Sequence, residues 1–268
     1  MDAESLTQSK IVIEVLILSL LLGLETWIPL FQGRTGRLRH SARNIAMGLM
    51  NGAITGILFS GATAFIAGEA ERRGFGILHW LEMPAWMELF VAIFLFDLWM
   101  YLWHRANHGL PVLWRFHRMH HSDPEMDATT ALRFHIGELV LSSFIRFGVL
   151  FLLGLRLWQL IFYETILLPV ILFHHSNVAL PEKWDRLFRT LLVTPNMHRV
   201  HHSHLQPETD SNYASIFSFW DRLGRSFRKK ENLLTLHYGL DEFEKGRWQS
   251  FSGLLRTPFA PIQKRVAK

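Results

Sequence analysis

Residues 84–108 read PAWMELFVAIFLFDLWMYLWHRANH. Proline opens the stretch, a long apolar run follows, and two histidines four residues apart close it. About 20 apolar residues in a helix cross the hydrocarbon core of a bilayer, and proline suits a first helical turn. On such a helix Asp97, Tyr101, His104 and His108 fall at i, i+4, i+7 and i+11, one polar stripe on an apolar surface. Polar groups at membrane depth are expensive and point to function. Asp97 and Tyr101 are placed to hydrogen-bond the outer ring nitrogens of ligand histidines. Asp97 stands two turns, about 10 Å, from His104, so its expected partner is a histidine from another cluster, His121 or His202.

Four more apolar stretches flank this one: residues 11–31, 44–67, 138–153 and 157–173. The last two are short and joined by a tight Gly154-Leu155-Arg156 turn, which predicts a helical hairpin that crosses only in part. The predicted fold is all-α: a polytopic membrane bundle of about four to five spanning or hairpin helices, with a helical cytosolic cap carrying a di-metal histidine site. Three parts are expected: N-terminal transmembrane helices over residues 1–83, a catalytic domain over 84–230 and a cytosolic tail over 231–268.

Composition narrows the function. The 268 residues are 49% hydrophobic and include 15 histidines and no cysteine. The missing cysteine excludes disulfides, iron–sulfur clusters, thiolate-bound zinc and thiol nucleophiles. The formal charge is +5, but the cations flank apolar spans and no nucleic-acid motif occurs, so anionic headgroups are the expected partner. The charges also orient the chain. Arg34, Arg37, Arg39 and Arg43 occupy the first loop without an acid, whereas Glu69, Glu71 and Glu82 outnumber Arg72 and Arg73 in the second. The first loop is therefore expected on the cytosolic side, and every histidine cluster falls on that side too.

Those clusters are His104-Arg-Ala-Asn-His108, His117-Arg-Met-His120-His121 and His198-Arg-Val-His201-His202, with His174-His175 between the last two. Residues i, i+3 and i+4 share a helix face, so each triplet presents three imidazoles across a narrow arc and can serve two ions. The expected metal ligands are His104, His108, His117, His120, His121, His175, His198, His201 and His202, with His174 a further candidate. His135 reads as structural, and His40, His79, His204 and His237 as ordinary buried or surface histidines. Eight or nine imidazoles exceed what one first-row ion takes, which implies two. Imidazole alone does not choose among iron, zinc, copper and nickel. A di-zinc hydrolase and a membrane metal transporter or sensor are the alternatives. No HExxH motif is present, and transport would need ligands graded along a path.

These boxes resemble those of the fatty acid hydroxylase/sterol desaturase superfamily. The likeness extends to the lead-in from Asp97 to His104, to Thr130-Ala-Leu-Arg-Phe-His135, to Phe173-His-His-Ser-Asn-Val178, to Thr194-Pro195 before the third box, and to residues 212–224. It covers roughly residues 90–230, nearest to bacterial sterol-desaturase-like and alkylglycerol-monooxygenase-like members. Ala214, Ser226 and Ile136 depart from the usual glycine, threonine and proline without touching a proposed ligand. The resemblance implies two iron ions, dioxygen as cosubstrate, a separate electron donor, and hydroxylation or desaturation of a lipid- or sterol-like molecule taken from the bilayer. The expected location is the bacterial inner membrane or the endoplasmic reticulum, with the histidines on the cytosolic face.

Overall fold

The computed structural model describes residues 3–244 and 246–261. In chain order the helices are α1 (Ala3–Trp27), α2 (Arg37–Arg72), the one-turn α3 (Ile77–Trp80), α4 (Ala85–Gly109), α5 (Pro111–His121), α6 (Ile136–Leu153), α7 (Leu157–His175), α8 (Glu182–Phe188), α9 (Pro195–His201), α10 (Gln206–Thr209), α11 (Phe219–Leu223) and α12 (Phe251–Arg256). Among the described residues there is no β-strand, only three isolated bridges. Five segments are long and apolar enough to cross a membrane: Glu4–Trp27, Arg37–Trp80, Ala85–Gly109, Ile136–Leu153 and Leu157–His175. The last two, expected to cross only in part, have 18 and 19 residues and qualify by length and composition. Leu16, Leu49, Ile57, Phe65, Phe90 and Phe144 all face outward, as lipid-facing side chains should.

Local chemistry sets the boundaries. Pro84 precedes α4, and Pro111 and Pro195 open α5 and α9, where a missing amide hydrogen loses no helical bond. Gly154 ends α6 at φ 72, the left-handed conformation that favours glycine. The turn is also crowded, since a Cβ on Gly76 would lie 2.3 Å from the Gly154 nitrogen. These two backbones meet only because neither carries a side chain.

Paired contacts give the helix directions. Lys10 meets Glu164 and Glu25 meets the amide of Asn177, so α1 and α7 run parallel. Gln159 donates to Glu88 and Tyr163 to Asp97, so α4 runs with them. Asn51 reaches Phe134, just before α6, and Phe59 packs on Phe144, so α2 and α6 run together in the other sense. One end of the bundle therefore collects the C-termini of α1, α4 and α7. The opposite end carries the Gly76–Gly154 contact and the ion pairs of Arg156 with Glu71 and Glu88.

The chain from residue 231 packs back on this histidine-bearing end. Fully buried Arg118 of α5 donates to the carbonyls of Thr257 and Ala260, and fully buried Arg133 donates to Gln249. A buried guanidinium is tolerable only with such acceptors, so these bonds tie the C-terminal segment to the second histidine box.

Candidate metal centre

The four histidine-bearing elements converge at the end of the bundle where α4 and α7 finish. Two groups of side chains result, all buried except the half-buried His104. His104, His108, His117, His121 and His201 form one, and His120, His175, His198 and His202 form the other. Within each group the candidate ligand atoms lie within 4.8 Å of one another. The triplets divide as their arcs allow: α5 gives His117 and His121 to the first group and His120 to the second, while α9 gives His201 to the first and His198 to the second. The rings of His121 and His202 stack at 4.5 Å and join the groups. His174 is buried with its ring 4.1 Å from that of His198, but it belongs to neither group.

The outer ring nitrogens show how the imidazoles are aimed. His104 Nδ1 lies 2.8 Å from the Tyr213 carbonyl, His201 Nδ1 2.6 Å from the Ser211 carbonyl and His175 Nδ1 2.8 Å from the Ile171 carbonyl. A carbonyl only accepts, so Nδ1 carries the proton in each and Nε2 keeps its lone pair. His117 Nδ1 meets the Glu138 carboxylate at 2.9 Å, and His108 Nδ1 meets Asp210 at 3.4 Å. These contacts fix tautomer and ring angle together.

The inward nitrogens then face one another. Nε2 of His104 is 3.2 Å from Nε2 of His117, and Nε2 of His175 is 3.1 Å from those of both His120 and His198. At His104 and His117 both Nδ1 atoms carry the proton, so two lone pairs face each other there and repel unless a cation lies between them. Imidazole nitrogens bound to one ion at about 2.1 Å would stand roughly 3 Å apart. The buried Nε2 atoms of His121, His201 and His202 have no hydrogen-bond partner among the described residues, and such atoms call for an explanation. Burial, reinforced by neighbouring imidazoles, holds His120, His121, His198, His201 and His202 well below the ordinary histidine pKa. Neutral imidazole is the form that binds metal. The residues therefore fit two ions with all-nitrogen donor sets.

Two expectations fail. Asp97 does not meet His121 or His202. It is fully buried, and its carboxylate accepts from Tyr163 Oη at 2.9 Å, from the amides of Ile216 and Phe217 at 3.2 and 3.0 Å, and from Trp220 Nε1 at 3.0 Å. A stripe on one helix told which way Asp97 points but not which element packs there. Tyr101 likewise meets no ligand ring nitrogen. Its hydroxyl lies 2.9 Å from Ser226 Oγ and accepts from Arg105. Conversely, Glu138 and Asp210 were not singled out. A carboxylate in the first turn of apolar α6 was the available signal for Glu138. Nothing in the sequence marked Asp210 or the Ser211 and Tyr213 carbonyls.

The remaining histidines are structural or peripheral in placement. His135 caps α6 through Nδ1, which accepts from the amide of Gly137 at 2.9 Å. His79 lies at the far end of the bundle beside Gly154, and His204 and His237 pack on each other at 5.6 Å. His40 is buried between two carboxylates, with Nε2 2.8 Å from Asp123 and Nδ1 3.0 Å from Asp127.

Fold and site together define a class: an all-α, membrane-type bundle with a buried poly-histidine centre at one end. The fatty acid hydroxylase family profile matches residues 89–226, just over half of the chain, and the protein belongs to that family. It is 32% identical to alkylglycerol monooxygenase of Danio rerio over 167 residues, which cover 60% of this chain and 35% of that protein. It is 28% identical to ornithine lipid hydroxylase OlsE of Rhizobium tropici over 147 residues, covering 54% and 43%. It is 25% identical to cholesterol 25-hydroxylase of Homo sapiens over 161 residues, covering 55% and 58%. The chain thus spans between about a third and three fifths of the length of these relatives. No solved structure matches it.

Proposed function

We propose that this protein is an integral membrane oxidoreductase that uses two iron ions, dioxygen and electrons from a separate donor to hydroxylate or desaturate a lipid- or sterol-like molecule. The observation that carries the reading is the pair of all-histidine groups, five of whose members line one cavity beside apolar side chains. Met100, Trp103, Phe134 and Ile171 line that cavity together with His104 and His120. Bound iron would supply dioxygen activation and the oxidation of an unactivated C–H bond.

The protein's own residues supply placement. His104, His108, His117, His121 and His201 would hold one ion, and His120, His175, His198 and His202 the other. Glu138, Asp210 and the three backbone carbonyls keep the Nε2 lone pairs of His117, His108, His104, His175 and His201 turned inward. Phe134 stacks on His120 at 4.4 Å and shields that ring from water. Trp103 and Met100 of α4 and Ile171 of α7 line the cavity, so an acyl or sterol body could lie against them with one carbon near the ions. Such a substrate would reach the cavity laterally between membrane helices. The arginine-rich first loop and the net positive charge after residue 182 support a cytosolic location for this end.

The test is turnover. Protein loaded with iron in lipid nanodiscs, given a reductant and isotopically labelled O2, should yield a lipid carrying one labelled oxygen atom or one new double bond. Metal analysis should return two equivalents per chain. A single equivalent in folded protein, or lipid cleavage that persists without O2 in the zinc form, would overturn the reading.

A further inference from the structure

After α7 and again after the third histidine box, the chain turns back down the bundle. Asp97 lies seven residues and Phe94 ten residues before His104, or about 10 and 15 Å further from the histidine level along α4. The amides of Ile216 and Phe217 and the indole of Trp220 reach Asp97. Phe94 packs on Trp220 and Phe219 at 4.6 and 5.9 Å. Ile216, Leu192 and Phe217 join the hydrophobic cluster built on Leu155 and Leu160 of the far end. Residues 191–193 and 216–220 therefore stand beside the membrane helices at bilayer depth, not on top of them, and residues 182–190 lead into them.

Irregular backbone survives at that depth only if its polar groups are satisfied within the protein. The groups that bridge the two loops are satisfied here. The Val193 amide donates to Ile216 at 2.9 Å, and the Ser218 amide to Leu191 at 2.9 Å. The Arg189 carbonyl accepts from both Ser218 Oγ and Arg222 at 2.7 Å. The two loops clasp each other, and Asp97 absorbs the amides left over.

The outward face has the opposite character. Trp184, Leu187, Phe188 and Leu191 fall at i, i+3, i+4 and i+7 and are 48%, 57%, 40% and 53% exposed, and nearby Leu223 is 71% exposed. Lys183, Arg186, Arg222 and Arg225 are exposed around them. An apolar face bordered by cations is the pattern of a segment lying in a membrane interface.

We propose that residues 182–192 and 216–227 form a half-inserted lobe seated in the leaflet that holds the histidine centre. Trp184, Leu187, Phe188, Leu191 and Leu223 lie among acyl chains, and Lys183, Arg186 and Arg225 lie at headgroup phosphates. The lobe goes beyond the oxygenase reading and does not depend on it; it rests on the five apolar helices spanning a bilayer. The chain has no cysteine, so single nitroxide labels can be placed at Leu187→Cys, Leu223→Cys and Arg186→Cys. Leu49→Cys on the outward face of α2 serves as the lipid control, and Glu244→Cys as the water control. In phospholipid nanodiscs, collisions with O2 relative to a water-soluble nickel chelate should be as frequent at Leu187 and Leu223 as at Leu49. They should be severalfold higher there than at Glu244, with Arg186 intermediate. Water-like values at Leu187 and Leu223 beside a lipid-like Leu49 would overturn the proposal. So would equal values at Arg186 and Leu187, or spin–spin broadening showing that a second copy covers the face. A water-like Leu49 would remove the membrane premise and the lobe with it, leaving turnover as a separate question.

Discussion

Imidazoles are buried in two neighbouring places, and their surroundings are opposite. His40 has a carboxylate on each ring nitrogen, so both nitrogens must donate and the ring is a cation. Burial pushes Asp123 up, but His40 and Arg133 outweigh it and hold the carboxyl well below its usual range. In the two convergent groups no carboxylate faces inward. Acids touch only outer nitrogens, at His117 and His108, and the inner nitrogens face each other. The first arrangement balances its charge within the protein and ties the start of α2 to the loop after the second box. The second gathers neutral imidazoles around inner nitrogens that lack a partner in the protein, which a cation from outside would satisfy. What distinguishes a ligand histidine from a structural one is thus the nature of the groups around it, not its burial.

Breaking the second arrangement should have the largest effect. His121→Ala and His201→Ala are expected to abolish turnover and lower bound metal while the chain still inserts, measured by product assay, metal analysis and membrane fractionation. Full activity in either variant would falsify the ligand role of its group. His40→Ala attacks the other arrangement. Removing one partner of a buried ion pair costs about 3–5 kcal/mol, so a fall in thermal midpoint is expected while the folded fraction keeps its metal. Loss of metal without loss of stability would erase the distinction.

Glu138→Gln sharpens the comparison at its boundary, where a carboxylate meets a proposed ligand from outside. Loss of such an outer partner typically costs roughly 10–100-fold in metal affinity or activity, read here by competition with a chelator. Asp97→Asn turns one acceptor oxygen into a donor amid four donor groups. It should destabilise the protein by about 1–3 kcal/mol and leave the metal equivalents unchanged; a selective loss of metal would return Asp97 to the centre. His237→Ala is the smallest. Exposed and outside both groups, it should change stability by less than about 0.5 kcal/mol and leave turnover at the wild-type level.

The parts that could be read in advance are those whose physics is local. Apolar runs marked all five long helices, and i, i+3, i+4 spacing marked the boxes, because both depend on neighbours along the chain. The allotment of His120 to one group and His117 and His121 to the other depends on where α7 and α9 arrive. The partners of the two acids were illegible for the same reason. Glu138 lies 21 residues from His117, and Asp210 102 from His108, and no periodicity links such pairs. Asp97 shows the limit most clearly. Its expense at membrane depth was evident from sequence, but what offsets it is the loop amides of residues 216 and 217 with the Tyr163 hydroxyl and the Trp220 indole, not an imidazole.

The way the two groups draw on the chain has a consequence for biogenesis. The first takes side chains from α4, α5 and α9, and the second from α5, α7 and α9 with the residue after it. The ribosome adds about 5–20 residues per second, so roughly 5–20 s separate the appearance of His104 from that of His202. Throughout that interval the early helices must enter the bilayer and hold a nest of neutral imidazoles open. Neither group is complete until the last box has emerged. On the di-metal reading, the ions arrive late and fasten together segments made at different times.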